Sequence, residues 1–300
     1  MKIFKLSYSA FMFCITVAII SCSGSGGGGG GSDTGSTGTS TPHQIWGAIG
    51  VSVNTIVRNG RTVYIGGQFT LVAPPSSCGS TLSTSTGLLP EGVRALPFNA
   101  QVYAVASDGS GGWYVGGEFT KIGNTTRNHI AHIKADGTLS DWDPNANSTV
   151  MSIAVDGATV YTGGYFINIG GEVRCCIAAI NTSDGTATSW DPGASSYVNV
   201  IRVDNTSVYI GGDFTVAGGQ TRNYIASIDK STGSVTSWDP NLDGEVVDII
   251  LNGSTVYVGG GFSTIGGVQT RHYMAEINLS DGTATDWYPS STLNGWIYSI

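Results

Sequence analysis

The stretch VYIGGDFTVAGG, residues 208–219, is written almost five times over in this 300-residue chain. The other copies are VYIGGQFTLV from 63, WYVGGEFTKIG from 113, VYTGGYFINIGG from 160 and VYVGGGFSTIGG from 256. Counted from the first glycine of each pair (Gly66, Gly116, Gly163, Gly211 and Gly259), the steps are 50, 47, 48 and 48. A period this regular means one supersecondary unit stacked on copies of itself, since a single unit cannot bury its own apolar faces.

The unit reads as β-structure throughout. In SYVNVIRVDNTSVYIGGDFTVAGGQTRNYIASIDKSTGSVTSWDPN, residues 196–241, four runs rich in β-branched and aromatic residues are separated by turn formers: YVNVIRV, SVYIGGDFTV, YIASID and VTSW. Asp204-Asn205 joins the first two, and its equivalents are Asn59-Gly60, Asp108-Gly109, Asp156-Gly157 and Asn252-Gly253. Such pairs accept positive φ and close tight hairpins. A second turn falls at Asp136-Gly137, Asp184-Gly185, Gly233 and Asp281-Gly282. Two hairpins in about 48 residues predict a four-stranded antiparallel blade, and blades stacked around an axis make a β-propeller. The chain then holds five full blades with partial strands at both ends.

Three residue classes recur at blade spacing. Phe69, Phe119, Phe166, Phe214 and Phe262 follow the glycine pair, and Tyr64, Tyr114, Tyr161, Tyr209 and Tyr257 precede it. Both classes are expected to pack, with the glycines admitting a neighbouring backbone closely. Trp142, Trp190, Trp238 and Trp287 end the fourth run, each two residues before Pro144, Pro192, Pro240 and Pro289. The tryptophan is expected to lie between blades with its N–H on a backbone carbonyl, and the proline to blunt the outer edge. The functional alternative for the tryptophans is an exposed ring that binds a sugar or a peptide.

The unit VGGEFTKIGNTTRNHIAHIKADGTLSDWDPN, with its GG-x-F-T core, R-N-x-I-A run and D-G turn, resembles the delta-60 type β-propeller repeat of cortical polarity-marker proteins and bacterial surface proteins. The resemblance covers roughly residues 46–300 and implies a propeller at a cell surface without implying a reaction. IASIDKSTGSVTSW is similar to the tryptophan-docking repeat of quinoprotein dehydrogenases and outer-membrane assembly lipoproteins, although its step from TG to Trp is one residue longer.

At the ends, Trp46 aligns with an outer-strand tryptophan of a preceding blade, and GWIYSI, residues 295–300, aligns with the inner strand of a following one. The expectation is a fragment of a six- to eight-bladed ring, the rival being a ring that closes irregularly.

Composition and leader set the address. Charged residues make up only 11%, glycine contributes 45 residues, and the net charge is −8 with no basic run. A chain of that sign repels phosphate backbones, so nucleic acid is not expected as a partner. MKIFKLSYSAFMFCITVAIISC opens with Lys2 and Lys5, followed by an apolar run from Phe11 to Ile20 that is too short to span a bilayer comfortably. Residues 1–21 therefore read as a signal peptide. Ile19-Ile20-Ser21-Cys22 resembles a bacterial lipobox, which implies a palmitate-type lipid on the Cys22 thiol and cleavage before it. Residues 22–44 are rich in Gly, Ser and Thr and make a flexible tether. Ser23 favours the outer membrane, and residues 45–300 form the propeller.

The search for chemistry returns little. Arg127, Arg174, Arg222 and Arg271 share one phase and Asp143, Asp191 and Asp239 another. The arginines form a possible binding surface for an anionic ligand, or the two sets pair and hold loops in register. The segment from Leu71 to Ala100, with PPSSCGSTLSTSTGLLPEG inserted, reads as the longest loop. His43, His129, His132 and His272 are scattered. His129 and His132 sit three apart on an expected strand and cannot chelate together. Cys78, Cys175 and Cys176 form no CxxC framework, and the adjacent pair reads as buried thiols or as a vicinal disulfide. No Ser/His/Asp order, HExxH, EF-hand loop or phosphate loop is present. No cofactor, metal or catalytic residue is expected. The expected function is a lipid-anchored, non-catalytic binding or scaffold module for a protein or glycan. The alternative is a propeller enzyme, quinoprotein-like or glycan-active, whose site lies in unrecognised blades.

Overall fold

The computed structural model describes residues 49–59, 62–71, 79–83, 96–289, 293 and 295–300. The signal peptide, Cys22, the tether, His43, Trp46, Gly60 and Cys78 lie outside the described residues. Every regular element among those residues is a β-strand, and none is a helix long and apolar enough to cross a membrane.

Five three-stranded antiparallel sheets repeat the same plan of inner, middle and outer strand. The first blade comprises Ile49–Asn59, Thr62–Leu71 and Gly79–Ser83. The second has Val102–Ser107, Trp113–Gly117 and Ile130–Ile133, and the third Val150–Asp156, Thr159–Gly164 and Ile177–Asn181. The fourth has Val198–Val203, Ser207–Gly212 and Ile225–Asp229, and the fifth Val246–Asn252, Thr255–Gly260 and Met274–Asn278. Each inner strand lies beside the inner strand of the next blade, so these strands together line the axis.

Three expectations are corrected in detail. The fourth strand is reduced to a single bridge: Ile133 to Leu139, Ile180 to Ala187, Ile228 to Val235 and Ile277 to Ala284. Each tryptophan N–H donates to the hydroxyl of the residue two back, whose own carbonyl is taken by the repeat's arginine, so neither group extends the ladder. The run SVYIGGDFTV is likewise not one strand. It ends at Gly212, and Val216–Ala217 pairs with Gln220–Thr221 in a separate short hairpin. That hairpin is bridged at Ala217 to Ala194 in the segment entering the blade. Lastly, the insertion contains an outer strand. Gly79–Ser83 pairs with the first blade's middle strand in the register of its sisters, Gly66 opposite Gly79 as Gly211 is opposite Ile225. The GSTLS run lacks the apolar residues of IASID, yet a ladder is made by backbone groups and accepts it.

The glycine pair is where the stack closes. A Cβ on Gly163 would lie 2.6 Å from Val198 of the next inner strand, and one on Gly116 would lie 2.6 Å from Val150. The second glycine faces its own blade, so that a Cβ on Gly164 would collide with the carbonyl oxygen of Thr149. Phe119, Phe166, Phe214 and Phe262 are completely buried beneath these turns. Trp296–Ile300 takes the place of a further inner strand: a Cβ on Gly259 would meet Ile297 and Ile300 as that on Gly163 would meet Val198 and Ile201.

Candidate functional site

The recurring polar groups are engaged inside the blades. Arg127, Arg174, Arg222 and Arg271 each donate through Nη2 to a carbonyl beside the fourth-strand bridge, on Ser140, Thr188, Thr236 and Thr285, at 2.8, 2.7, 2.6 and 2.9 Å. Nη1 donates to the preceding residue's carbonyl in all four. Asp143, Asp191 and Asp239 approach Arg127, Arg174 and Arg222 at 3.5, 3.5 and 3.7 Å. Tyr288 stands in the aspartate's place in the fifth blade, and the Arg271 guanidinium sits 5.2 Å from its ring centre. The first three side chains are only 11–12% exposed, so the guanidinium groups act as bolts between a hairpin and the outer edge.

The tryptophans join neighbouring blades. Trp142, Trp190 and Trp238 donate their indole N–H to the carbonyls of Asn181, Asp229 and Asn278, at the end of the next blade's outer strand. Each also meets its own blade's tyrosine edge-on, with ring centres 4.8–5.7 Å apart. Trp287 keeps the contact with Tyr257 at 4.9 Å but is 39% exposed. The residue five places after a tryptophan is a further recurring clamp that the sequence reading passed over. Asn147, Ser195 and Asp243 each accept two successive backbone N–H groups from the turn after the buried phenylalanine, as does Asn99 in the second blade. Its signal was a short polar residue at fixed spacing, hidden because the side chain changes identity.

His129 and His132 are engaged separately. His129 faces the Gly117 carbonyl at 3.2 Å, and His132 meets Asp108 at 3.0 Å and stacks on Tyr114. Burial pushes the Asp108 carboxyl up, but bonds from His132, Ser110 and Gly112 outweigh it and hold the group below its ordinary value. Among the described residues no three His, Cys, Asp or Glu side chains come together to hold a metal ion.

The repeat breaks at the axis. The inner strands and the Tyr298–Ile300 segment line an open cavity of about 590 Å³, within the ~300–1,000 Å³ range of ligand pockets. Each inner strand from the second blade to the fifth carries a β-bulge at the same place, before Ala104, Ser152, Val200 and Asp248. Bulges re-aim side chains. Arg202 occupies a position that is Ala106, Ala154 and Ile250 in the sister blades. Its Nη2 lies 2.8 Å from Asp248 of the next blade. Asp248 is 12% exposed and accepts the backbone N–H groups of Ile249 and Ile300, whereas Arg202 is 39% exposed. Ser152 accepts the N–H of Ile201 in the manner of Asp248 with Ile300. The sequence search looked for His and carboxylate clusters and missed this pair. A charge at a position that is apolar in the sister inner strands would have revealed it.

Comparison with known proteins bears on the fold. Residues 108–139 match the model of a domain of unknown function, the DUF5122 beta-propeller. No curated protein matches the chain. Among solved structures, the chain is similar to the RRP9 WD40 repeats, with TM-score 0.53 and 11% identity over 78% of this chain and 62% of that one. It is similar to U3-55K with TM-score 0.53 and 12% identity over 80% of this chain and 66% of that one. For the Neurospora crassa Pan2 WD40 domain the TM-score is 0.50 and the identity 12%, over 82% and 67%. The chain thus spans about two thirds of the length of these structures. At such identities the likeness is one of architecture, and the architecture is a β-propeller.

Proposed function

We propose that the chain is a lipid-anchored cell-envelope β-propeller that binds a protein or glycan at its axial cavity and catalyses nothing. Five repeats of about 48 residues build the body, residues 45–300, and Trp296–Ile300 fills a sixth inner position. Residues 22–44 tether it to a lipid on Cys22, most simply in the outer membrane. The carrying observation is the Arg202–Asp248 pair, which breaks the repeat at an open cavity and whose arginine side chain, 39% exposed, is far more accessible than the rim arginines. Arg202, Asp248, Ser152 and Asn199 present both donors and acceptors, which suits hydroxyl- and amide-bearing ligands more than a bare anion. The negative net charge argues against nucleic acid.

The test is to purify the full protein from its native envelope by detergent partition and confirm acyl mass on Cys22. It is then screened on glycan and peptide arrays beside the double variant Arg202→Met with Asp248→Asn. Specific binding that the double variant loses at least tenfold is the expected result. Binding that survives moves the site off the axis, and conversion of a bound glycan during incubation replaces the binding module with an enzyme. A protein that stays in the aqueous phase without acyl mass removes the anchor.

A further inference from the structure

In the third blade, Cys175 and Cys176 stand where the sister blades carry Asn128-His129, Asn223-Tyr224 and His272-Tyr273. The two sulfurs lie 3.1 Å apart, with Cys176 buried in the core shared with the fourth blade and Cys175 partly exposed. The backbone here belongs to the repeat and does not arise from the sulfurs. Cys176 has φ 68°, and His129, Tyr224 and Tyr273 have 63°, 65° and 67°.

In the second blade Asn128 donates to Asn145 at 2.7 Å, and in the fourth Asn223 donates to Asn241 at 2.7 Å. These bonds clamp the loop entering the outer strand to the segment after the tryptophan. The third blade has lost both halves of the clamp together: Cys175 replaces the donor and Gly193 the acceptor. In place of that side-chain bond, the Ala194 N–H donates to the Cys175 carbonyl at 3.2 Å.

We propose that Cys175 and Cys176 form a redox modification site, a vicinal dithiol that a small disulfide oxidant of the oxidised-glutathione class closes into a disulfide. The Cys175 thiolate attacks one sulfur of the oxidant and expels a thiolate, leaving a mixed disulfide on Cys175. The Cys176 thiol gives its proton to solvent, attacks the Cys175 sulfur and expels the second thiol. Two protein thiols are oxidised and one oxidant disulfide is reduced to two thiols. The order follows from access, since Cys175 is partly exposed and Cys176 is buried. Burial, and the Cys175 sulfur beside it, raise the Cys176 thiol above its ordinary value, so it keeps its proton during the first attack; the second attack is helped by proximity, the two sulfurs being 3.1 Å apart. Adjacent residues have Cα atoms about 3.8 Å apart across a trans peptide, short of the ~4.4–6.8 Å that disulfides usually span. The closed form is therefore readily reduced, as a switch requires.

The experiment equilibrates the full native protein over a series of oxidised-to-reduced glutathione ratios, alkylates free thiols, and reads the peptide carrying residues 175–176 by mass. The expected result is an intramolecular disulfide, two hydrogens lighter than the dithiol, with a midpoint at oxidising ratios and complete return under dithiothreitol. The comparison variant is Cys175→Asn with Gly193→Asn, which restores the sister clamp; it should fold, and its melting temperature should not respond to glutathione. Two alkylatable thiols at every ratio, or a bond from either residue to Cys78, overturns the proposal. So does a glutathione response in the clamp-restored variant equal to that of the wild type.

Discussion

The body of the blades and the axis obey opposite rules. In the body, each important group recurs: the glycine pair, the buried phenylalanine, the arginine bolt, the inter-blade indole bond. At the axis, the inner strands share a bulge but not their side chains. One position runs Ala104, Ser152, Val200 and Asp248, and the next but one runs Ala106, Ala154, Arg202 and Ile250. A residue that returns in every blade answers a demand that every blade makes, and that demand is stacking. A residue present once answers a demand made once, and the proposed binding is placed there for that reason.

The largest effect expected on the body comes from Gly164→Ala. The added Cβ would run into the Thr149 carbonyl of the same blade, a backbone atom held by the inner strand, so the bulge must open. A loss of about 3 kcal/mol is expected, read as a lower denaturant midpoint at constant m-value. A change under about 1 kcal/mol would mean that the second glycine is not where the blade closes.

Next comes a paired comparison of rim and axis. Arg222→Met removes the donors that satisfy the Thr236 and Thr221 carbonyls and should cost about 1–2 kcal/mol. The loss is moderated because the Arg222 Nε is itself buried without an acceptor among the described residues. The double variant Arg202→Met with Asp248→Asn leaves no lone charge, and its one amide oxygen keeps only one of the two N–H groups that Asp248 accepts on separate oxygens, so it should cost about 0.5–1 kcal/mol, less than the rim variant. Equal losses in the two variants would erase the distinction between a structural rim and the axis proposed to bind.

How much was legible follows from the same distinction. Repeat spacing exposed the all-β blades because stacking imposes one pattern on every copy. It failed where the pattern is carried by backbone alone. Gly79–Ser83 was hidden in a loop-like insertion, and VTSW promised a strand that side-chain bonds to the Trp238 N–H and the Thr236 carbonyl cut to a bridge. The clamp at Asn99, Asn147, Ser195 and Asp243 was hidden because three residue types serve one geometry. Arg202 and Asp248 lie on different strands 46 residues apart, and only the closure of the blades around an axis makes them neighbours.

The smallest effect tests the body at a place where its rule bends without breaking. In the turns before the fourth-strand bridge, Asp136, Asp184 and Asp281 each accept two bonds, from the N–H and hydroxyl of the threonine two residues on. The fourth blade has Thr232 at that position, and the carboxylate comes from Asp229, three residues earlier. Asp229 accepts four bonds, from the N–H and hydroxyl groups of Ser231 and Thr232. The Ser231 hydroxyl first, then the Thr232 hydroxyl and N–H, bring its pKa down to about 2. The folded group thus holds its proton more weakly than the unfolded one, whose pKa is about 4. The contribution of Asp229 is complete above the unfolded value and is lost as pH falls from about 4 towards about 2. Melting temperatures followed across that window should fall less steeply in Asp229→Asn than in the wild type. The slope should not vanish, because Asp136, Asp184 and Asp281 are also held below their ordinary values. Identical slopes would mean that the relocated carboxylate fills space in the fourth blade without doing the work of its sisters.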